Sequence, residues 1–279
     1  MTMPEPMTKL PEFRKPPVVE VVCGVLIRPI EALKAPHLGE YWAKIRAEFS
    51  AVEEQPLLSP MVEGFGAVQP QASTIQVTSV PPLPRVWFIS QRGDRVIQVQ
   101  RDRFLFNWRR LEAKDAYPRF DSVYGDFARH LGSFRDFIAA SGGAPLDAQQ
   151  YELTYVNHID GALIGESVGE LGRVFRDFAW VTDSNRWLPV PTDSTWRTSF
   201  DLPGQAGRLH SAVRLLVDGG THRRFIRFEL TARGIGGDKG LEGPGIEGWF
   251  ETAHEWIVRA FADLTSAELQ REVWERTDV

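Results

Sequence analysis

The same order of elements is spelled twice along the chain: strand, helix, several strands, helix. In the first pass "PPVVEVVCGVLIRP" (16–29) reads as a strand with Val19, Val21, Cys23, Val25 and Ile27 on one face. "APHLGEYWAKIRAEFSAV" (35–52) reads as a helix opened by Pro36, with Leu38, Tyr41, Trp42, Ile45, Phe49 and Val52 on its apolar stripe. A Pro/Gly-rich connection, about 55–72, leads to strands at 73–80, 85–90 and 95–110 and a helix at 122–141. In the second pass a strand at 149–160 precedes a helix at 167–180 and a loop at 182–193. Strands at 194–202, 208–217 and 223–234 follow, then a Gly-rich loop at 237–245 and a helix at 246–264. Thr265 and Glu268 have capping-box spacing and predict one more short helix.

Two passes of β-α-β-β-β(-β)-α constrain the fold strongly. They predict an α+β protein made of two duplicated units, 16–145 and 146–279, behind a disordered leader, 1–15. Each unit is expected to form antiparallel sheet with its helices packed on one face, which leaves the other face open. This order is similar to that of TATA-binding-protein-like and helix-grip units, whose open or curved sheet is the binding surface. A resemblance of fold carries no function by itself.

The hairpin "RVIQVQRDRFLFNWRR" (95–110) shows what the open face would hold. A turn at Arg101-Asp102 sets Gln100 against Arg103, Val99 against Phe104 and Ile97 against Phe106. Ile97, Val99, Phe104, Phe106 and Trp108 then form a core face. Alternation gives the opposite face Gln98, Gln100, Arg103, Asn107 and Arg109, with Glu20 from the first strand. In the second unit the same face takes Glu152, His158, Arg227, Glu229 and Arg233. Guanidinium forks suit carboxylates and phosphates. The competing expectation is a solvated polar face, held by cross-strand Arg–Glu pairs worth ~0.2–1 kcal/mol each.

Charge sharpens this picture. The chain carries a formal net charge of −5, which disfavours nucleic acid as the main partner while leaving it possible. Yet 85–110 holds seven Arg against two Asp, and 208–233 six Arg against one Asp and one Glu. Both basic stretches are read as strands. Cys23 is the only cysteine, so no intrachain disulfide forms, and its place among Val21 and Val25 reads as packing. No apolar run approaches the ~20 residues of a membrane span. No signal-peptide pattern opens the chain, and a cytoplasmic protein is expected.

Catalytic patterns are weak. His158-x-Asp160 points two ligands to one side of a strand, but zinc needs three or four, and no local third follows. Lys239 sits in a Gly-rich loop without P-loop spacing, and there is no GxSxG. No metal and no cofactor are expected, and the reading leans away from an enzyme.

"KPPVVEVVCGVLIRP", the hairpin with its following "YPRF", and "LTYVNHI" (153–159) resemble an uncharacterised, sporadically distributed bacterial family. The likeness runs through most of the chain to "WFETAHEWIVRAFADLTSAELQREVW". It implies no activity and no catalytic residue. Sporadic distribution implies an accessory gene of a defence, toxin–antitoxin or biosynthetic cluster. The expectation is a non-catalytic binding or adaptor protein whose polar sheet face takes an acidic protein segment or nucleic acid, with a protein partner favoured. The alternative is an enzyme or accessory subunit with a small-molecule or peptide pocket near Glu20, Glu152 and His158.

Overall fold

A computed structural model describes residues 9–59, 62–63, 83–165, 168–181, 185–234 and 244–278. Among these residues nine strands form one antiparallel sheet. In chain order they are β1 (Val18–Ile27), β2 (Ala51–Gln55), β3 (Arg85–Ile89), β4 (Arg95–Gln100), β5 (Arg103–Arg109), β6 (Ala148–Asp160), β7 (Thr195–Asp201), β8 (Arg208–Val217) and β9 (Arg224–Gly234). Their order across the sheet is β2-β3-β4-β5-β1-β6-β9-β8-β7. The first strand of each half lies at the centre, and β1 pairs with β6 to join the halves. In each half the last strand packs beside the first and the earlier strands run outward.

The hairpin register is the expected one, with Gln100 opposite Arg103, Val99 opposite Phe104 and Ile97 opposite Phe106. Alternation sends Val21, Cys23, Val25, Ile97, Val99, Phe104 and Phe106 to one face, where all are buried. Among the described residues four α-helices accompany the sheet: α1 (Ala35–Ile45), α2 (Phe120–Ala140), α3 (Pro244–Leu264) and α4 (Ala267–Glu272). Tyr41 of α1 meets Phe88 and Phe134 edge-on, and Phe104 stacks on Phe134 of α2. In the second half Phe228 stacks on Phe261 of α3. One core therefore lies between the inner sheet face and the helices.

Four local expectations are corrected. The first helix ends at Ile45, and Ala51–Gln55 is an edge strand paired with β3, leaving Val52 exposed. The Trp42 indole donates to the Phe49 carbonyl at 2.9 Å and holds the chain as it leaves the helix. The helix expected over 167–180 is instead a 3₁₀ segment, Val168–Arg173. Its continuation bonds to the end of α3, with Arg176 N to Leu264 O at 3.0 Å and Ser266 N to Val174 O at 2.8 Å. Those bonds replace the i→i−4 ladder a helix would need. The Thr265 capping box does not form, because the buried Thr265 hydroxyl donates back to Phe261 O at 2.6 Å. The fourth concerns the leader. Phe13 is buried, Arg14 N donates to Glu275 O and Lys15 N to Trp274 O, both at 3.1 Å. Residues 1–8 and the strand expected at 73–80 lie outside the described residues.

Candidate functional site

The outer sheet face collects every residue expected there. On the β3–β5 side it is not open. Gln98, Gln100 and Asn107 are only 4–6% exposed, and their outward neighbours Val96 and Leu105 are also buried. Two causes are visible. The polar side chains satisfy one another: Arg85 Nη1 and Trp87 Nε1 donate to Gln98 Oε1 at 2.8 and 2.9 Å. Gln98 Nε2 donates to Asn107 Oδ1, and Asn107 Nδ2 to Glu20 Oε1, both at 2.7 Å. In addition, Leu58 and Glu63, which follow β2, lie over this face. Leu58 exchanges both backbone groups with the Gln100 amide at 3.0 Å, and Glu63 N donates to Gln150 Oε1 at 2.7 Å. Glu63 then ion-pairs with Arg208 at 3.1 Å and bonds His210 at 2.8 Å. Arg103 pairs with its neighbour Asp102, and Arg109 donates to Gly93 O. The expectation of an uncovered polar face is therefore corrected for this half of the sheet and for the ends of β6 and β8 that Glu63 meets.

The β6–β9–β8 side differs. Arg233 is paired with Glu152 at 2.5 Å, and Thr154 with Thr231 at 2.9 Å. Towards the far end, Thr195, Arg214, Arg227 and His158 stand in one cross-strand row, each opposite the next. Like charges placed directly opposite oppose pairing. Among the described residues, the one carboxylate paired with this row is Glu229 of the neighbouring row, at 2.8 Å from Arg227. Arg227 Nε is buried without a partner, and Arg214 is exposed with no ion pair among the described residues. His158 lies against Phe225, with ring centres 4.4 Å apart. Burial and Arg227 hold its imidazole below the ordinary range. His158 and Asp160 do not share a ligand, since Asp160 caps Ala162 N at 2.9 Å. Among the described residues no three His, Cys, Asp or Glu side chains cluster to hold a metal.

A second site lies on the inner face, where none was expected. A cavity of about 400 Å³ opens between the N-terminal stretch, β6, β9, the start of α2 and α3. Phe13, Val18, Phe120, Leu230, Ile257 and Phe261 give it apolar walls. A polar chain enters it: Tyr117 Oη lies 2.7 Å from Tyr155 Oη, which lies 3.0 Å from His254 Nδ1. His254 stacks on Phe120 with ring centres 4.2 Å apart. Burial lowers the His254 pKa to about 4 despite Asp121 and Glu255, so the ring is neutral at pH 7. Burial likewise pushes both tyrosines well above their ordinary range. Asn157 is 1% exposed; its Nδ2 donates to Phe228 O at 3.1 Å, and its Oδ1 has no partner. A buried acceptor without a donor costs ~1–3 kcal/mol. At the rim, Arg119 holds φ 73° and ψ 159°, a region nearly confined to glycine, and donates to Phe13 O at 3.2 Å.

The sequence held two signals for this cavity. His254 interrupts the apolar stripe of Phe250, Ile257 and Phe261, and Asn157 takes an inward turn between Tyr155 and Ile159. Cys23 is fully buried in the core, where desolvation keeps its thiol protonated. No family model, curated protein or solved structure matches the chain. The family resemblance rests on the sequence patterns alone. Among the described residues, no helix is long and apolar enough to cross a membrane.

Proposed function

We propose that this is a non-catalytic binding protein that holds an acidic segment of a protein partner on the β6–β9–β8 side of the outer face. The observation that carries the proposal is the row Arg214, Arg227 and His158, set in register across three strands with, among the described residues, only Glu229 in partial compensation. Guanidinium groups held side by side suit carboxylates. The chain entering this row supports a protein partner. Val181, Trp187, Leu188 and Val190 are all exposed, Trp187 at 92%, and they precede Thr195, which pairs with Arg214. Exposed aromatic side chains beside arginines are the usual anchors of protein interfaces. Arg103, Arg109 and Arg233 are engaged within the fold, so they support the face instead of meeting the partner. A cytoplasmic, accessory bacterial setting, implied by the sequence resemblance and the lone reduced cysteine, belongs to the same proposal.

The test is fluorescence anisotropy of a labelled octaglutamate peptide with the full chain at 50 and 200 mM salt. Arg214→Glu with Arg227→Glu is expected to weaken binding at least ten-fold and to flatten the salt dependence. Arg103→Ala is expected to leave it within two-fold. Unchanged binding after the double reversal rejects this surface. Tighter binding of a single-stranded oligonucleotide than of the peptide rejects the choice of partner.

A further inference from the structure

The inner-face cavity is separate from the outer row of arginines, and it has the makings of a ligand site. Its volume, about 400 Å³, lies within the range of small-molecule pockets, ~300–1,000 Å³. Its walls are largely apolar, and a few polar atoms converge inside, as in most pockets that hold one small molecule in a fixed orientation.

Those atoms define the ligand. Asn157 Nδ2 is committed to Phe228 O, so the amide is oriented and its oxygen is the free group. That oxygen accepts only. Tyr155 sits two positions away on the same strand face, about 7 Å along β6. Its hydroxyl is already shared between Tyr117 and His254. The Tyr117–Tyr155–His254 chain can run in either direction, because neutral imidazole Nδ1 may carry its proton or receive one. The missing element is thus one donor, aimed at Asn157, on an otherwise apolar body. A carboxylate would place an acceptor against Asn157 Oδ1. The charged lining residues, Glu12, Arg119 and Asp121, belong to the N-terminal stretch and the start of α2, on other elements than Asn157.

We propose that the cavity binds a small neutral molecule, an aromatic or aliphatic alcohol, whose hydroxyl donates to Asn157 Oδ1. The N-terminal stretch supplies one wall of the cavity. Residues 12–15 close over the cavity by bonding to 274–278: Glu12 N to Asp278 Oδ1 at 3.0 Å, Thr277 N to Glu12 O at 2.9 Å, and the Phe13–Arg276 bridge. Arg14 N to Glu275 O, Lys15 N to Trp274 O and the edge-on contact of Phe13 with Phe261 complete that wall.

The probe pair is 2-naphthol and 2-methoxynaphthalene, which share their rings and differ in the donor. Titrated into the full chain and followed by fluorescence, 2-naphthol is expected to bind at least ten-fold more tightly than its methyl ether. Asn157→Leu is expected to reduce that preference to within two-fold. Val258→Trp, which fills the cavity from α3, is expected to abolish binding of both. Circular dichroism confirms that each variant is folded. A wild-type chain that binds neither probe, a preference that survives Asn157→Leu, or unweakened binding to folded Val258→Trp overturns the proposal. If Asn157→Leu does not fold, the Val258→Trp result decides alone. Arg214→Glu with Arg227→Glu leaves this binding unchanged, so the two sites fail or succeed separately.

Discussion

Asn107 Nδ2 donates to Glu20 Oε1 at 2.7 Å, and this bond ends a chain of side-chain amides that crosses four strands. The chain begins with Arg85 and Trp87 on β3 and passes through Gln98. Gln98 is its pivot, because its two amide atoms meet three partners. Gln98→Leu keeps the shape but leaves Arg85, Trp87 and Asn107 without their partner in a buried setting. A loss of ~2–4 kcal/mol is expected in urea denaturation. A double-mutant cycle with Asn107→Ala is expected to show coupling, since the two share one network.

The strap across the outer face is expected to report on its anchors. Leu58 N and Glu63 N bond to the side chains of Gln100 and Gln150. Hydrogen exchange at these two amides is expected to be slow in the wild type. It should accelerate at Leu58 in Gln100→Ala and at Glu63 in Gln150→Ala, with the sheet amides unchanged. Glu63→Gln, which removes the charge facing Arg208 and His210, is expected to cost ~1–3 kcal/mol.

Acid is expected to destabilise the fold through two histidines. Burial lowers His254 to about 4, and burial with Arg129 lowers His130 to about 4, against 6.5 for a free imidazole. The unfolded chain therefore takes up protons before the folded one. Stability is full above about pH 6.5, falls as pH drops, and has lost this contribution by about pH 4. The loss is as much as ~3 kcal/mol for each ring. Imidazole NMR shifts followed from pH 8 to 3 check the assignment; a midpoint near 6.5 for either ring would contradict it.

Two glycines meet where β8 begins and β9 ends. Gly207 holds φ 144°, and a Cβ on Gly234 would overlap the Ala206 carbonyl, which also accepts from the Trp249 indole at 2.9 Å. The obstruction is backbone, which cannot swing away. Gly234→Ala is expected to cost ~2–3 kcal/mol in thermal or urea unfolding. Gly207→Ala should be similar, and the pair less than additive.

Strand alternation was legible because it is local. The Arg101-Asp102 turn and the sorting of Ile97 and Phe106 from Gln98 and Asn107 follow from period two and a two-residue loop. Whether a polar face meets water is not local. The strap that binds Gln100 and Gln150 comes from 42 and 87 residues away. Helical spacing at Leu171, Val174, Phe175 and Phe178 was a real apolar pattern, yet the segment spends its backbone bonds on 264–266 instead. The cavity combines both difficulties, since Tyr117, Tyr155 and His254 meet only through the sheet order. Its two clues, a histidine in an apolar helical stripe and an asparagine on an apolar strand face, each read singly as a tolerated exception.

The pairing of β1 with β6 decides how the molecule can be divided. Cut between them, 16–145 and 146–279 would each carry a long raw edge of unpaired amides and carbonyls at what is now the middle of the sheet. Such edges recruit strands from other copies. Each half thus acts as the other's sealant, and either one made alone is expected to clump or to marry its twin.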